Sequence, residues 1–173
     1  MIMKMQGNIV DLLMPPINAW ELTWGFALGG LTRGMMVGAV VTAAMAIFVQ
    51  IEIASIWAAL FFSASASLLL SVLGIIGAIW ADKYDHLAAV TNFIITPLSF
   101  LSGTFYSIEQ LPPTWHTIAL CNPFFYMIDG FRYGLTGQTE APLWLGVGFL
   151  TAINAALLYL AYWMIDRGYK LKA

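Results

Sequence analysis

The stretch Asn92–Gly134, NFIITPLSFLSGTFYSIEQLPPTWHTIALCNPFFYMIDGFRYG, is an apolar helix pattern broken at Pro97 and followed by two short, proline-punctuated segments. Its first part belongs to the run Leu87–Ile108, which carries no charge and is long enough to cross a hydrocarbon core at about 1.5 Å per residue. Beyond Glu109 the pattern changes. Pro112 and Pro113 restart the backbone, TWHTIALC gives roughly two helical turns, Asn122-Pro123 interrupts it, and FFYMIDGFRY gives two or three more before Gly134. Each piece covers only about 12 to 15 Å. Such helices are too short for a bilayer of about 30 Å and too apolar and aromatic for a solvated loop, which predicts a re-entrant hairpin over 109–141 dipping into one leaflet.

The whole chain has the composition of a membrane protein. Of 173 residues, 61% are hydrophobic, 14% aromatic and only 9% charged, with a mean hydropathy of +0.82; a soluble domain carries about a quarter charged residues. The net charge of −2 gives no basic footprint for nucleic acid. The single cysteine, Cys121, has no partner in the chain for a disulfide. The start, MIMKMQGNIVDLLMPP, is interrupted by Asp11 and ends at a double proline without a small-residue cleavage site, so it is not read as a signal peptide.

Apolar runs predict four transmembrane helices, at 22–49, 53–81, 87–108 and 142–165. In the first, Gly30, Gly34 and Gly38 recur every four residues and allow another backbone to approach. Arg33 lies within this span, where it snorkels to headgroups or pairs with Glu21 or another acid. In the second, Ser63, Ser67, Ser71, Gly74 and Ala78 form a small, weakly polar stripe; close packing is its first reading and a substrate path its second. In the third, Pro97 frees the carbonyl of Phe93, which neighbouring hydroxyls are placed to satisfy. Asn154, near the middle of the fourth, suits an interhelical hydrogen bond. Lys4, Lys83, Arg167, Lys170 and Lys172 fall on one side of a four-span protein and Arg132 on the other, so both termini are expected in the cytoplasm and the hairpin outside.

Catalytic signatures are missing. No lysine follows a glycine, so there is no Walker A loop, and neither G-x-S-x-G nor H-E-x-x-H occurs. Asp82 and Asp85 form a D-x-x-D that resembles the magnesium sites of membrane transferases, but Lys83 separates them and no second acidic cluster accompanies them. No cofactor and no metal site are expected in the chain. Asp129 and Arg132, three apart on a short helix, suit a local ion pair; alternatively Arg132 holds an anionic headgroup or cargo phosphate.

The kinked span with Pro97 leading into LSGTFY, then LPPTW, then NPFFYMIDGFRYG, resembles the C-terminal signature of ABC-2 type transporter permeases, the transmembrane subunits of bacterial inner-membrane exporters of polysaccharides, nodulation factors and drugs. The resemblance runs along nearly the whole chain and implies an all-α polytopic protein that translocates rather than catalyses. It implies partners: a separate ABC ATPase subunit, a second permease copy and membrane lipid. It also gives the short segment 5–15, otherwise readable as an amphipathic helix lying on the membrane, the role of a cytoplasmic coupling helix pressed against the ATPase through Asp11, Leu12, Leu13, Met14 and Pro15. Pro97, Ser102, Gly103, Pro112, Asn122, Pro123, Asp129 and Arg132 would then belong to the re-entrant hairpin and translocation gate. Such permeases have six spans, and by this reading the chain corresponds to their C-terminal two-thirds.

Overall fold

The computed structural model describes residues 17–49, 53–104 and 112–170. The predicted coupling segment 5–15 lies outside these residues, as do 105–108 at the end of the predicted span 87–108 and 109–111 at the start of the predicted hairpin. Every regular element among the described residues is helical. Three helices are long and apolar enough to cross a membrane: α1 (Ala19–Phe48), α2 (Ile56–Trp80) and a last helix, Leu143–Asp166. They match three of the predicted spans to within about three residues, the usual uncertainty at helix ends.

The predicted span 87–108 takes a different form. Helical structure begins earlier, as α3 (Tyr84–Val90), passes through a π turn (Thr91–Ile95) and resumes as α4 (Thr96–Phe100), in pieces of seven, five and five residues. Together they reach about 25 Å. The helix ends before a turn containing Gly103 at φ 76°, so residues 101–104 are not part of a continuous span. The hydroxyls around Pro97 also go elsewhere than to Phe93. Thr96 donates to the Thr91 carbonyl (3.0 Å), Thr91 to Leu87 (3.0 Å) and Ser99 to Ile95 (2.9 Å). Thr91 and Ser99 meet the carbonyl four residues back that any α-helix offers, whereas Thr96, at the end of the π turn, reaches five back to Thr91.

After the undescribed segment come α5 (Pro113–Leu120) and α6 (Pro123–Thr136), which ends at Gly137 in the left-handed conformation (φ 75°), and then α7 (Leu143–Asp166). Helix α2 is the centre of the assembly. Against it α1 packs through glycines: a Cβ on Gly34 would lie 2.5 Å from Ser67 Oγ and 2.7 Å from its Cβ, and one on Gly30 would overlap Ser71. Ser71 Oγ donates to the Ala27 carbonyl at 3.2 Å. The glycine stripe of α1 and the serine stripe of α2 are thus two halves of one contact, and around Ser67 and Ser71 the serine stripe is packing rather than a path. Helix α7 covers another face of α2, where Asn154 Nδ2 donates to the Ser65 carbonyl at 3.3 Å, the interhelical bond expected of it.

Aromatic residues mark both ends of the three long helices. Trp20 packs edge-on against Trp24 (5.7 Å) and Tyr162 (5.5 Å) at one end, while Trp57 stacks on Phe61 (5.3 Å) and approaches Trp144 (6.2 Å) at the other. Two such belts are the pattern of a bilayer-spanning bundle. Large apolar side chains between them, among them Met36, Val40 and Leu70, face outward as a lipid solvent permits.

Candidate functional site

Helices α5 and α6, of 8 and 14 residues, are about 12 and 21 Å long. Helix α6 runs antiparallel to the first turns of α2. Ser55 N donates to the Gly134 carbonyl (3.0 Å), a Cβ on Gly134 would sit 2.5 Å from Ala59 N, and one on Gly130 would overlap the Phe62 ring. The Phe62 ring, 1% exposed, also lies 3.4 Å from where a Gly146 Cβ of α7 would stand. The ring therefore fills the space that Gly130 vacates and meets Gly146 at ordinary contact distance, and α6 packs as closely on α2 as it does because Gly130 and Gly134 carry no side chain. Phe124, Phe125, Tyr126 and Met127 complete the buried face of α6.

Two polar fastenings hold this hairpin. At its inner turn Asn122, buried at 3% exposure, caps α6 by accepting from Phe124 N (3.0 Å) and donates through Nδ2 to the Leu98 carbonyl of the kinked arm (2.7 Å). That carbonyl lies in the last turn of α4, where no following helical N–H reaches it, so the asparagine caps the arm and joins α6 to it. Ser102, 1% exposed, stabilises the turn after α4: it donates to the Ser99 carbonyl and meets Thr104 Oγ1 at 3.0 Å.

At the middle of α6, Asp129 is a buried hub. It accepts from Arg132 Nη2 (2.7 Å), Thr139 Oγ1 (2.6 Å), Glu140 N (3.0 Å) and Ala141 N (3.3 Å). Arg132 also reaches Glu140 Oε1 at 3.0 Å. Burial alone would lower the pKa of Arg132, but its hydrogen bond to Asp129 and the charges of Glu140 and Asp129 outweigh that and raise it. The guanidinium stays charged and shared between two carboxylates. This arrangement ties α6 to the loop that enters α7, and it favours the ion-pair reading of Arg132 over a free anion-binding cation.

The eight predicted gate residues therefore fall into groups. Asn122 binds the arm one residue beyond Pro97; Ser102 and Gly103 shape the turn that follows; Pro123 opens α6; Asp129 and Arg132 form the separate hub about two turns further along α6. Pro112 is exposed and leads into α5, accepting from His116 N at 3.0 Å, outside both fastenings. The sequence reading missed Phe62, Gly130, Gly146, Thr139 and Glu140. Helical spacing points from Asp129 to Arg132, but Thr139 and Glu140 return only because the chain reverses at Gly137.

Residues 1–136 match the ABC-2 type transporter family. The chain belongs to that family. It is 36% identical over 171 residues to the inner membrane transport permease YadH of Escherichia coli K12, covering 98% of this chain and 66% of that protein. It is also 33% identical over 98 residues to nodulation protein J of Rhizobium leguminosarum bv. viciae, covering 54% of this chain and 38% of that protein. This ABC-2 chain thus spans about two-thirds of the length of the YadH relatives. No solved structure matches it significantly.

Two charges elsewhere in the ABC-2 chain deserve placement. Asp82, from the D-x-x-D, is bound by Lys170 Nζ at 3.0 Å, and Lys170 also donates to the Trp80 carbonyl (3.1 Å). This pairs one of the two carboxylates, and among the described residues no group of three His, Cys, Asp or Glu is placed to hold a metal. Arg33 stands at the midpoint of α1, about 21 Å from Ala19. Its neighbour Gly34 packs on Ser67, near the middle of α2, and Ser65 nearby meets Asn154, at the middle of α7. Three helices thus agree that Arg33 is at mid-depth. Glu21 does not pair with it: its carboxylate accepts from Asn18 N (3.1 Å) at the start of α1. An arginine at the centre of a membrane helix costs about 2.5–3.5 kcal/mol on insertion scales.

Proposed function

We propose that this chain is the permease subunit, or the larger part of one, of an ATP-binding cassette exporter in the bacterial inner membrane. The observation that carries the proposal is the pair of short helices α5–α6, with α6 laid back along α2 and fastened at its start by Asn122 and at its middle by Asp129, in a chain of the ABC-2 type transporter family. In this reading α1, α2, the kinked arm and α7 span the bilayer, and the hairpin enters from the outer face. Lys83, Arg167 and Lys170 share one end of the bundle and Arg132 marks the other, which favours cytoplasmic termini.

A separate ATPase subunit pushes on the segment 5–15 through Asp11, Leu12, Leu13, Met14 and Pro15, and a pair of permeases rocks between inward-facing and outward-facing states. The hairpin moves with its neighbours because Asn122 ties it to the arm and Asp129 ties it to α7. Its role is a gate at the outer leaflet, which opens for a polysaccharide, a lipid-linked molecule or a drug. The arginine next to it is neutralised, so the hairpin acts as a moving wall and cargo charge is read elsewhere.

The test is capture of the protein, tagged at its C terminus and expressed from its own locus, in mild detergent. An ATPase subunit should co-purify and hydrolyse ATP, and Leu12→Asp with Leu13→Asp should remove it while the chain stays in the membrane. A membrane-inserted chain that brings no ATPase overturns the proposal.

A further inference from the structure

The two halves of the kinked arm are held very differently, and the π turn lies between them. No residue of α3, the π turn or α4 is buried, yet the second half is anchored. Ile95 and Leu98 pack against the core shared by α2 and α6, Asn122 holds the Leu98 carbonyl at 2.7 Å, and Ser102 and Gly103 just beyond are buried. The first half has a single seat on α2. A Cβ on Gly77 would stand 2.8 Å from Leu87 Cδ1, so the leucine occupies the space that the glycine leaves. From Ala88 to Ile94 only Val90 is half-buried, and the other residues are exposed.

Helix α3 is a short rod between two joints. At its start Lys83 is extended (φ −134°, ψ 155°) and exposed, and links the helix to Asp82, which Lys170 holds at 3.0 Å. At its end comes the π turn. There Thr96 N donates to the Thr91 carbonyl, five residues back, so the turn holds one residue more than an α-helix needs. The Thr96 hydroxyl ends on that same carbonyl. Pro97 follows with no N–H to give, so the ladder loses a bond directly after its widest turn. A π turn and a proline are two of the recognised origins of sharp helix kinks, and here they are adjacent.

We propose that the π turn and Pro97 form a hinge, about which α3 swings off its seat on α2 while α4 and the turn after it stay with α6. The distance along the helix from Phe93 to Tyr84 is about 13 Å, so a bend of about 20° carries the start of α3 about 5 Å and lifts Leu87 about 3 Å from Gly77. That end of the arm thus moves before strain reaches the Asn122 bond. The hinge belongs to the chain alone and does not depend on an ATPase subunit.

The test is spin-label distance measurement on the purified full chain in lipid nanodiscs, with Cys121, the single cysteine, replaced by serine. A label at Asp85 is paired in turn with one at Phe26 of α1 and one at Tyr159 of α7. A label at Phe100 is paired in turn with one at Val41 and one at Leu145 of the same two helices; all six positions are exposed. The Asp85 distributions should be broader than the Phe100 distributions by about 5 Å, the sweep of the bend. Deleting Phe93, which is 81% exposed, removes the extra residue of the π turn without removing a core contact and should narrow the Asp85 distributions to the width of the others. Pro97→Ala returns an N–H to the ladder and should narrow them as well. Equal widths at the two ends of the arm in the parent, or Asp85 distributions that stay broad in both variants, would overturn the proposal. The contrast in the parent needs no change at the hinge, and the two variants are independent, so a folding defect in one of them does not decide the result.

Discussion

Replacing Asp129 by asparagine keeps the shape of the hub and removes its charge. The carboxylate is 3% exposed and accepts four hydrogen bonds, two on each oxygen: Arg132 and Glu140 N on Oδ1, Thr139 and Ala141 N on Oδ2. Asparagine accepts on one side only. If its nitrogen faces Thr139, that hydroxyl can turn to the Ala141 carbonyl, already 2.7 Å away, but Ala141 N is left facing another donor. If it faces Arg132, two donors lose their acceptor. Hydrogen bonds to a charged group contribute about 1.5–3 kcal/mol each, and the share owed to Arg132 is discounted because its side chain is 34% exposed and keeps Glu140. The expected loss is about 2–3 kcal/mol. Glu140→Gln, by contrast, removes one contact from an arginine that keeps Asp129 and should cost about 0.5–1 kcal/mol. Reversible SDS titration of the purified protein, followed by tryptophan fluorescence, measures both. An Asp129→Asn variant within about 0.5 kcal/mol of the parent, or no weaker than Glu140→Gln, would refute the hub as the fastening of α6 to α7.

Two further outcomes follow from the packing. Gly34→Ala places a methyl 2.5 Å from Ser67 Oγ and should cost about 1–3 kcal/mol; adding Ser67→Gly removes the opposing atoms, and in the same titration the double variant should recover at least about 1 kcal/mol relative to additivity. Asn122→Ala deletes both the cap of α6 and the donor to Leu98, for a loss of about 1–2 kcal/mol, and amide hydrogen exchange across 96–104 should accelerate while exchange in α7 does not.

Composition and one motif-bearing stretch were enough to read a membrane protein of all-helical class and its family, because hydrocarbon solvent leaves so few architectures for a chain this apolar. Three spans were legible for the same reason. The predicted span 87–108 was not legible in detail: Pro97 announces a break, but a π turn has no residue signature, and without it the Thr96 hydroxyl would not be expected to reach Thr91. Burial was harder still. In a soluble helix polarity marks the outer face, whereas α1 and α2 are apolar all round, so only their small residues hint at contact. Both stripes could be seen, but nothing in the sequence says that Gly30 meets Ser71 and Gly34 meets Ser67.

The same limit explains the site. Asn122 could be singled out because Asn-Pro between two apolar pieces reads as a break, whereas its cap of α6 and its hold on the Leu98 carbonyl depend on where α6 begins and where the kinked arm lies. Phe62 is one phenylalanine in a run of apolar residues and becomes distinctive only when Gly130 and Gly146 are seen against its ring. Asp129 and Arg132 read as a pair by spacing, yet the pair is half of the arrangement. The left-handed turn at Gly137 brings Thr139 and Glu140 back, and their addition changes the inference: a one-to-one pair is neutral and leaves guanidinium donors over, whereas an arginine held by two acids sits in a hub of net negative charge that does not attract an anion. Helix α6 therefore has a fixed amide at its start, fixed charges from its middle, and glycine contacts from there towards its end. A segment held in this way is tied both to the arm and to the loop entering α7, so displacing either one strains a buried hydrogen bond.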